Sequence, residues 1–403
     1  MTGMQQFITE LEKKYDNLKE KSLFNRRFKH TDILPLIAKL RNIPILEVRE
    51  IGKSTEGREI FLIKAGKGKI KVFLWSQMHG NEPTATGALF DILNFLSADV
   101  LNNEKNSILN ELSLYFVPMV NPDGAQVFKR RNVLDIDLNR DAARLEAEET
   151  RILKNIRDEI KPDYGFNLHD QEIYYTAGNT SKPATISFLT PSFNVEKEID
   201  HSRRISMELI VVMDQVLQKY IPGQIGRYND DYLPTAFGDN MQKWGTSTIL
   251  IESGGYHNDP EKQVIRKMNF LSIMAALYNL LSGNHEPVNY MDYFKIPENK
   301  KEKLFDLLIR NANLNLNNRS ISIDIGIRRK EIDNQNYTDF EYKSEIADIG
   351  DLTYYFGYDE IKADNLRLEI PEKYLLIGNK ADFKLIDEYG NVVYRIENGF
   401  IIE

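Results

Sequence analysis

Trp75-Ser76-Gln77-Met78-His79-Gly80-Asn81-Glu82 joins two patterns of different period. Before it, Ile70-Lys71-Val72-Phe73-Leu74-Trp75 is an apolar run of β type; after it, Thr84 to Leu93 repeats at helical spacing. His79 and Glu82 therefore stand where a strand hands over to a helix. A three-residue step at a helix entrance aims an imidazole and a carboxylate at one point. Nitrogen and carboxylate oxygen are zinc-type ligands, and a catalytic zinc takes three protein ligands and keeps one position open. An HxxE pair alone arises often by chance, so the reading depends on the rest of the chain.

Three more strand candidates end in unusual polar residues. Leu112 to Val120 runs into the turn Asn121-Pro122-Asp123-Gly124. Tyr164 to Leu168 runs into His169 and Asp170, and Thr246 to Ile251 runs into Glu252 before Ser253-Gly254-Gly255. Helical patterns over 142–160, 199–219 and 260–281 separate or follow them. Alternating strands and helices predict an α/β domain, a mostly parallel mixed sheet with helices on both faces. Ligands in such folds bind beyond the carboxyl ends of the strands, where these polar residues collect. Residues 1 to about 42 read as helical packing around Phe7, Leu11, Tyr15 and Leu18.

Composition changes at Gly283-Asn284-His285-Glu286-Pro287. A short helix is expected over Lys301 to Arg310, then alternating runs such as Ile321 to Ile327, Leu366 to Ile370 and Val392 to Ile396. The expected organisation is a catalytic domain over 1–285 and a small β-rich domain over 286–403, whose role the sequence does not reveal.

Of 403 residues, 42% are hydrophobic and 28% charged, as in a globular protein. The net charge of -8 argues against a nucleic-acid binder. With no cysteine, disulfides, thiol nucleophiles and thiolate metal sites are excluded, so His, Asp or Glu must hold any metal. No apolar run of about 18 residues is present, so no membrane span is expected. The opening Met1-Thr2-Gly3-Met4-Gln5-Gln6 lacks a signal-peptide pattern, which makes a cytoplasmic location the expectation. Nothing in the sequence sets the oligomeric state.

Six histidines keep the ligand search short. His79, Glu82 and His169 give a two-histidine, one-carboxylate set with an open position. A metal there lowers the pKa of its water and polarises a carbonyl. Glu252 then serves as general base, passing a proton from that water to the leaving amine. The attacked carbonyl oxygen gains charge, so a cation should face it. Arg130, Arg131 and Arg140 lie on one loop; one suits the oxyanion and one a substrate carboxylate, which a guanidinium grips with two hydrogen bonds. His30, His201 and His285 read as structural or exposed, and His257 stays unassigned.

In series, His79-Gly80-Asn81-Glu82, Asn121-Pro122-Asp123-Gly124, Asp137-Leu138-Asn139-Arg140, His169 and Glu252 resemble the zinc carboxypeptidase family, over roughly residues 35 to 285. The resemblance implies an α/β/α sandwich and one zinc ion on His79, Glu82 and His169. It implies Glu252 as general base, Arg130 as the arginine that polarises the carbonyl, and Asn139 with Arg140 as the grip on a peptide's terminal carboxylate. It also implies a mobile tyrosine, best matched by Tyr232, with Tyr228 as the alternative. The chain departs from the family at Asp141, where a second Asn is usual; a negative charge there is expected to weaken carboxylate binding or alter side-chain preference.

The first functional reading is thus a zinc-dependent peptidase acting on a peptide with a free carboxylate. The alternative is an amidohydrolase of the aspartoacylase and succinylglutamate desuccinylase type, acting on small N-acyl amino acids; those relatives share the HxxE pair and often carry a β-rich C-terminal domain. The Asn-Pro-Asp-Gly turn and the longer catalytic region favour the peptidase. A third reading, a binding module that has lost catalysis, conflicts with the presence of every ligand and the base.

Overall fold

The structure, a computed structural model, describes residues 3–284, 287–316 and 319–402, so His285 and the first two residues lie outside it. The helices are α1 (Gly3–Leu18), α2 (His30–Leu40), α3 (Thr84–Ser97), α4 (Asn102–Glu111), α5 (Pro122–Gln126), α6 (Glu148–Ile160), α7 (His201–Leu217), α8 (Phe237–Lys243) and α9 (Gln263–Asn279). The first strands are β1 (Leu46–Lys53), β2 (Glu59–Ala65), β3 (Ile70–Ser76), β4 (Leu112–Val117), β5 (Tyr164–Asp170), β6 (Thr176–Ala177), β7 (Ile186–Leu189), β8 (Ile225–Arg227) and β9 (Ser247–Ser253). The chain packs as two compact units: residues 1–172 with 184–299, and residues 173–183 with 300–403.

In the first unit eight strands form one sheet in the order β1-β2-β4-β3-β5-β9-β7-β8. The centre is parallel: β3 pairs with β4 and β5, and β5 with β9. Antiparallel pairs flank it at β1–β2, β2–β4 and β7–β9. Central parallel strands must be covered on both faces, which is why β3 reads as a continuous apolar run. Alternate residues of that run feed two cores. Val72 and Leu74 face α1, α3, α7 and α9. Phe73 and Trp75 face α6 and α8. The expected α/β/α sandwich is what forms.

A buried ion pair ties the first of these layers together. Arg266 on α9 donates to Asp91 on α3 through Nε (2.8 Å) and Nη2 (2.5 Å). Asp91 also accepts from Tyr15 Oη of α1 at 2.9 Å and from the Glu20 amide at 2.7 Å. Arg266 gives its other hydrogens to the Leu23 and Glu20 carbonyls. Gly87 makes room for it, since a Cβ there would stand 2.8 Å from Arg266 Nε. Among the described residues, no single helix is long and apolar enough to cross a membrane.

The second unit holds most of β10 (Asn299–Lys300) through β18 (Phe400–Ile401), with β11 (Leu304–Leu316), β12 (Arg319–Asp333) and β13 (Phe340–Gly350) as its longest strands. The helix expected over Lys301 to Arg310 is absent: Leu304 to Arg310 belong to β11, antiparallel to β12 and parallel to β14 (Phe356–Lys362). Leu307 and Ile309 enter one apolar core, Phe305 and Leu308 another. That two-sided burial suits a central strand, and the pairing overrides the local helical preference.

Asp91→Ala strands a buried guanidinium and is expected to lower the unfolding free energy by about 3–5 kcal/mol. Arg49→Ala breaks an exposed 2.7 Å pair with Glu159 and should cost less than about 1 kcal/mol. Urea denaturation of the two variants checks the contrast.

Candidate active site

The exits of β3 and β4 are zipped together. The Val120 amide donates to the Ser76 carbonyl (3.1 Å) and the Asn121 amide to the Gln77 carbonyl (3.0 Å). Gln77 takes a left-handed backbone (φ 50°), which swings the chain out of the strand. Its side chain is pinned: Nε2 donates to the Gly80 carbonyl at 2.9 Å, and Oε1 accepts from Thr86 at 3.1 Å. Gly80 lies directly on the next turn, because a Cβ there would meet the Gly124 carbonyl carbon at 2.0 Å. Only glycine allows so close an approach, so the two glycine-bearing motifs interlock through their backbones.

This packing delivers His79 and Glu82 to the end of β5, where His169 arrives. Glu82 Oε1 lies 2.7 Å from His79 Nδ1, and Glu82 Oε2 lies 2.8 Å from His169 Nδ1. The two Nδ1 atoms are 3.2 Å apart. One ligand atom from each residue falls within 4.8 Å of the others, and all three residues are buried. Two imidazole nitrogens and a carboxylate thus direct lone pairs at one another, which suits a shared divalent cation of the zinc type. The Arg130 guanidinium supplies the positive partner: Nη1 lies 3.1 Å from His79 Nδ1 and 3.2 Å from Glu82 Oε1.

Behind His79 stands Asp137, whose part the sequence reading missed. Its Oδ1 lies 3.1 Å from His79 Nε2 and accepts from the Asn139 amide; its Oδ2 accepts from Arg130 Nε at 3.0 Å. With the proton on Nε2, the Nδ1 lone pair faces Glu82 and His169. The acid that opens Asp137-Leu138-Asn139-Arg140 was the available signal. Burial works against a charged His79, but Glu82 and Asp137 win and hold its pKa above the ordinary value. Burial lowers the pKa of His169, and Glu82 only partly offsets it. Burial also opposes an ionised Glu82, yet the two histidines keep its pKa far below the carboxylate range.

Glu252 on β9 is the register partner of His169. Burial first, then the Glu82 and Asp170 carboxylates, raise its pKa well above the ordinary value. Its Oε2 is buried without a hydrogen-bond partner. Next to it, Asp170 donates its amide to Glu82 Oε2 at 3.2 Å. Its carboxylate accepts from Thr84 Oγ1 (2.5 Å) and from Lys262 Nζ (3.2 Å). This pair was also unforeseen.

The expected substrate-side residues are placed less uniformly. Asn139 is buried, and its Oδ1 accepts from the Phe237 amide at the start of α8 (2.9 Å). Arg140 is exposed, with Nη1 on its neighbour's carbonyl at 2.7 Å. Arg130 leans on the ligand atoms instead of facing open space, although 42% of its side chain is exposed. Tyr232 lies half-buried between β8 and α8, and no hydrogen bond among the described residues joins it to the cluster. Asp141, which stands where the resemblance leads one to expect an Asn, is engaged within its own stretch of chain. Its carboxylate accepts from the Glu146 and Ala147 amides and from Thr150 Oγ1, so its charge is taken up at the entrance of α6. His30 holds the Glu59 carbonyl at 2.8 Å.

Residues 36–208 match the family model described as zinc carboxypeptidase. Carboxypeptidase 2 of Trichophyton tonsurans is 29% identical over 143 residues, 32% of this chain and 25% of that protein. Carboxypeptidase E of Caenorhabditis elegans is 32% identical over 118 residues, 24% of this chain and 25% of that protein. The chain thus spans about a quarter of the length of these curated relatives. Among solved structures, the metallo-carboxypeptidase from Burkholderia cenocepacia aligns with a TM-score of 0.50 at 17% identity, over 62% of this chain and 68% of that one. Thrombin activatable fibrinolysis inhibitor aligns with a TM-score of 0.51 at 12% identity, over 64% and 75%. At such identities the structures speak for the fold alone. Residues 36–208 thus resemble the zinc carboxypeptidase family in sequence, and the fold of the chain is that of metallo-carboxypeptidases.

Proposed function

We propose that this protein is a zinc-dependent hydrolase that removes a residue from the free carboxyl end of a peptide. The observation that carries the reading is the convergence of His79, Glu82 and His169 beside Glu252. His79 Nδ1, Glu82 and His169 Nδ1 would hold one zinc ion, which polarises a carbonyl and brings the pKa of a bound water toward neutral.

The chain's own groups supply the rest. Glu252 takes the proton of the attacking water and returns it to the departing amine; its raised pKa makes it a stronger base for the first transfer. Arg130 turns outward from the ligand atoms to face the carbonyl oxygen, and Asp137 keeps hold of its Nε as it turns. Asn139 and Arg140 bind the terminal carboxylate. The link from Asn139 Oδ1 to the Phe237 amide orients the Asn139 amide group, leaving its NH2 to donate. Tyr232 is assigned to the mobile-tyrosine position on the strength of the family resemblance.

Peptides with free and amidated carboxyl ends, set beside small N-acyl amino acids, test the reaction class. Shortening of free-acid peptides only is expected; cleavage confined to N-acyl amino acids would reject the proposal. Glu252→Gln should lower kcat by about a hundred- to ten-thousandfold while keeping the bound zinc, a result that separates a base from a ligand. Asp137→Asn should weaken zinc binding by about ten- to a hundredfold, read by competition with a chelating dye. Arg140→Ala should raise KM more than it lowers kcat. A chelator should abolish activity, and added zinc should restore it.

A further inference from the structure

The segment from Lys129 to Arg144 carries five cations, Lys129, Arg130, Arg131, Arg140 and Arg144, in a chain whose net charge is -8. It also carries three acids, but two of them are spent internally. Asp137 is bound by His79, Arg130 and the Asn139 amide. Asp141 is bound by two amides and Thr150. The charge presented outward is therefore positive. Several exposed cations elsewhere do sit in pairs, such as Arg151 with Glu148, Lys154 with Asp158 and Lys330 with Glu345. Among the described residues, Lys129, Arg131, Arg140 and Arg144 have no carboxylate at ion-pair distance.

The backbone that presents these cations is fixed. The Lys129 amide donates to the Gly124 carbonyl at 2.9 Å, and the Asn132 and Ile136 backbones pair at 3.1 Å. Asn132 Oδ1 accepts from the Leu134 and Ile136 amides, and its Nδ2 donates to Glu149. The Ala142 amide donates to the Thr235 carbonyl at 3.1 Å. Arg130, within the same segment, touches His79 and Glu82. The unpaired charges thus stand on a frame tied to the metal-ligand cluster.

The proposed reaction uses one guanidinium for the carbonyl oxygen and one for the terminal carboxylate. Lys129, Arg131 and Arg144 remain without a carboxylate partner; Arg131 Nη1 donates to the Asp135 carbonyl at 2.8 Å. The geometry points to a substrate that brings carboxylates of its own: a peptide whose C-terminal residues are acidic. The inference rests on the hydrolase reading above and names its substrate class. Charges of one sign around a cleft raise the local concentration of oppositely charged ligand, and added salt weakens the effect.

Glutamate and glutamine differ in charge at nearly constant shape, so the unmodified protein tests the idea without a variant. Zinc-loaded protein is given peptides ending in three Glu or three Gln residues at about 0.03 M and about 0.3 M salt. The Glu peptide is expected to show a kcat/KM about tenfold higher at low salt, with an advantage that shrinks as salt rises. Binding of the same fluorescent peptides to zinc-loaded Glu252→Gln should show the same preference. The triple variant Lys129→Gln, Arg131→Gln, Arg144→Gln should lose most of it, with a much smaller change toward the Gln peptide. Equal cleavage and binding of the two peptides, or a preference that survives the triple variant, would overturn the inference and leave the hydrolase reading standing. Selective binding with no cleavage by wild type would reject the hydrolase reading and keep the acidic preference as that of a binding site.

Discussion

Three buried groups with lone pairs cannot be pressed together without a positive partner. His79, Glu82 and His169 are pressed together: their facing atoms lie 2.7 to 3.2 Å apart. Much of the first unit serves that arrangement. The parallel register of β3, β5 and β9 brings two strand ends level. The interlocked glycines Gly80 and Gly124 lock the loop that bears two of the groups. Asp137 fixes one imidazole from behind, and Arg130 supplies charge from the front. A divalent ion is the partner of higher charge for which such crowding is suited.

The surrounding charges form an ordered series. Asp170 and Lys262 pair next to Glu252, and the lysine also donates to the Ser253 carbonyl at 3.0 Å. Three carboxylates, Glu82, Asp170 and Glu252, therefore share a small volume with one buried ammonium and one half-exposed guanidinium. Each carboxylate meets a different balance. Glu82 is held ionised by two imidazoles, whereas burial and its acidic neighbours push Glu252 toward the neutral form. Unequal surroundings are how two like groups come to hold different parts in proton transfer.

Much of this was legible in the sequence, for definable reasons. β3, β4, β5 and β9 are apolar runs that stop at polar residues, and both signals are local. His79, Glu82, His169 and Glu252 could be picked out because they stand at those stops. Elements that owe their form to partners were not legible. Leu304 to Arg310 resembles a helix until β12 and β14 pair with it. β7 and β8 are too short to show a period, and they exist as strands because β9 offers an edge to β7 and β7 offers one to β8. Asp137 has its place only once His79 turns Nε2 toward it. Asp141 looks like an intruder in the Asn-Arg motif until the amides of Glu146 and Ala147 are seen to claim its carboxylate.

One covalent detail governs how this architecture can be taken apart. The chain leaves β5 after Asp170, passes through Ile173–Pro183, which belongs to the β-rich unit, and rejoins the first unit at Ala184. The chain therefore crosses from one unit to the other three times. A stop codon after Asn299 would remove the β-rich strands yet leave behind a loop built to pack with them, close in sequence to a metal-ligand candidate. Recombination could not graft the β-rich unit onto another enzyme through a single junction.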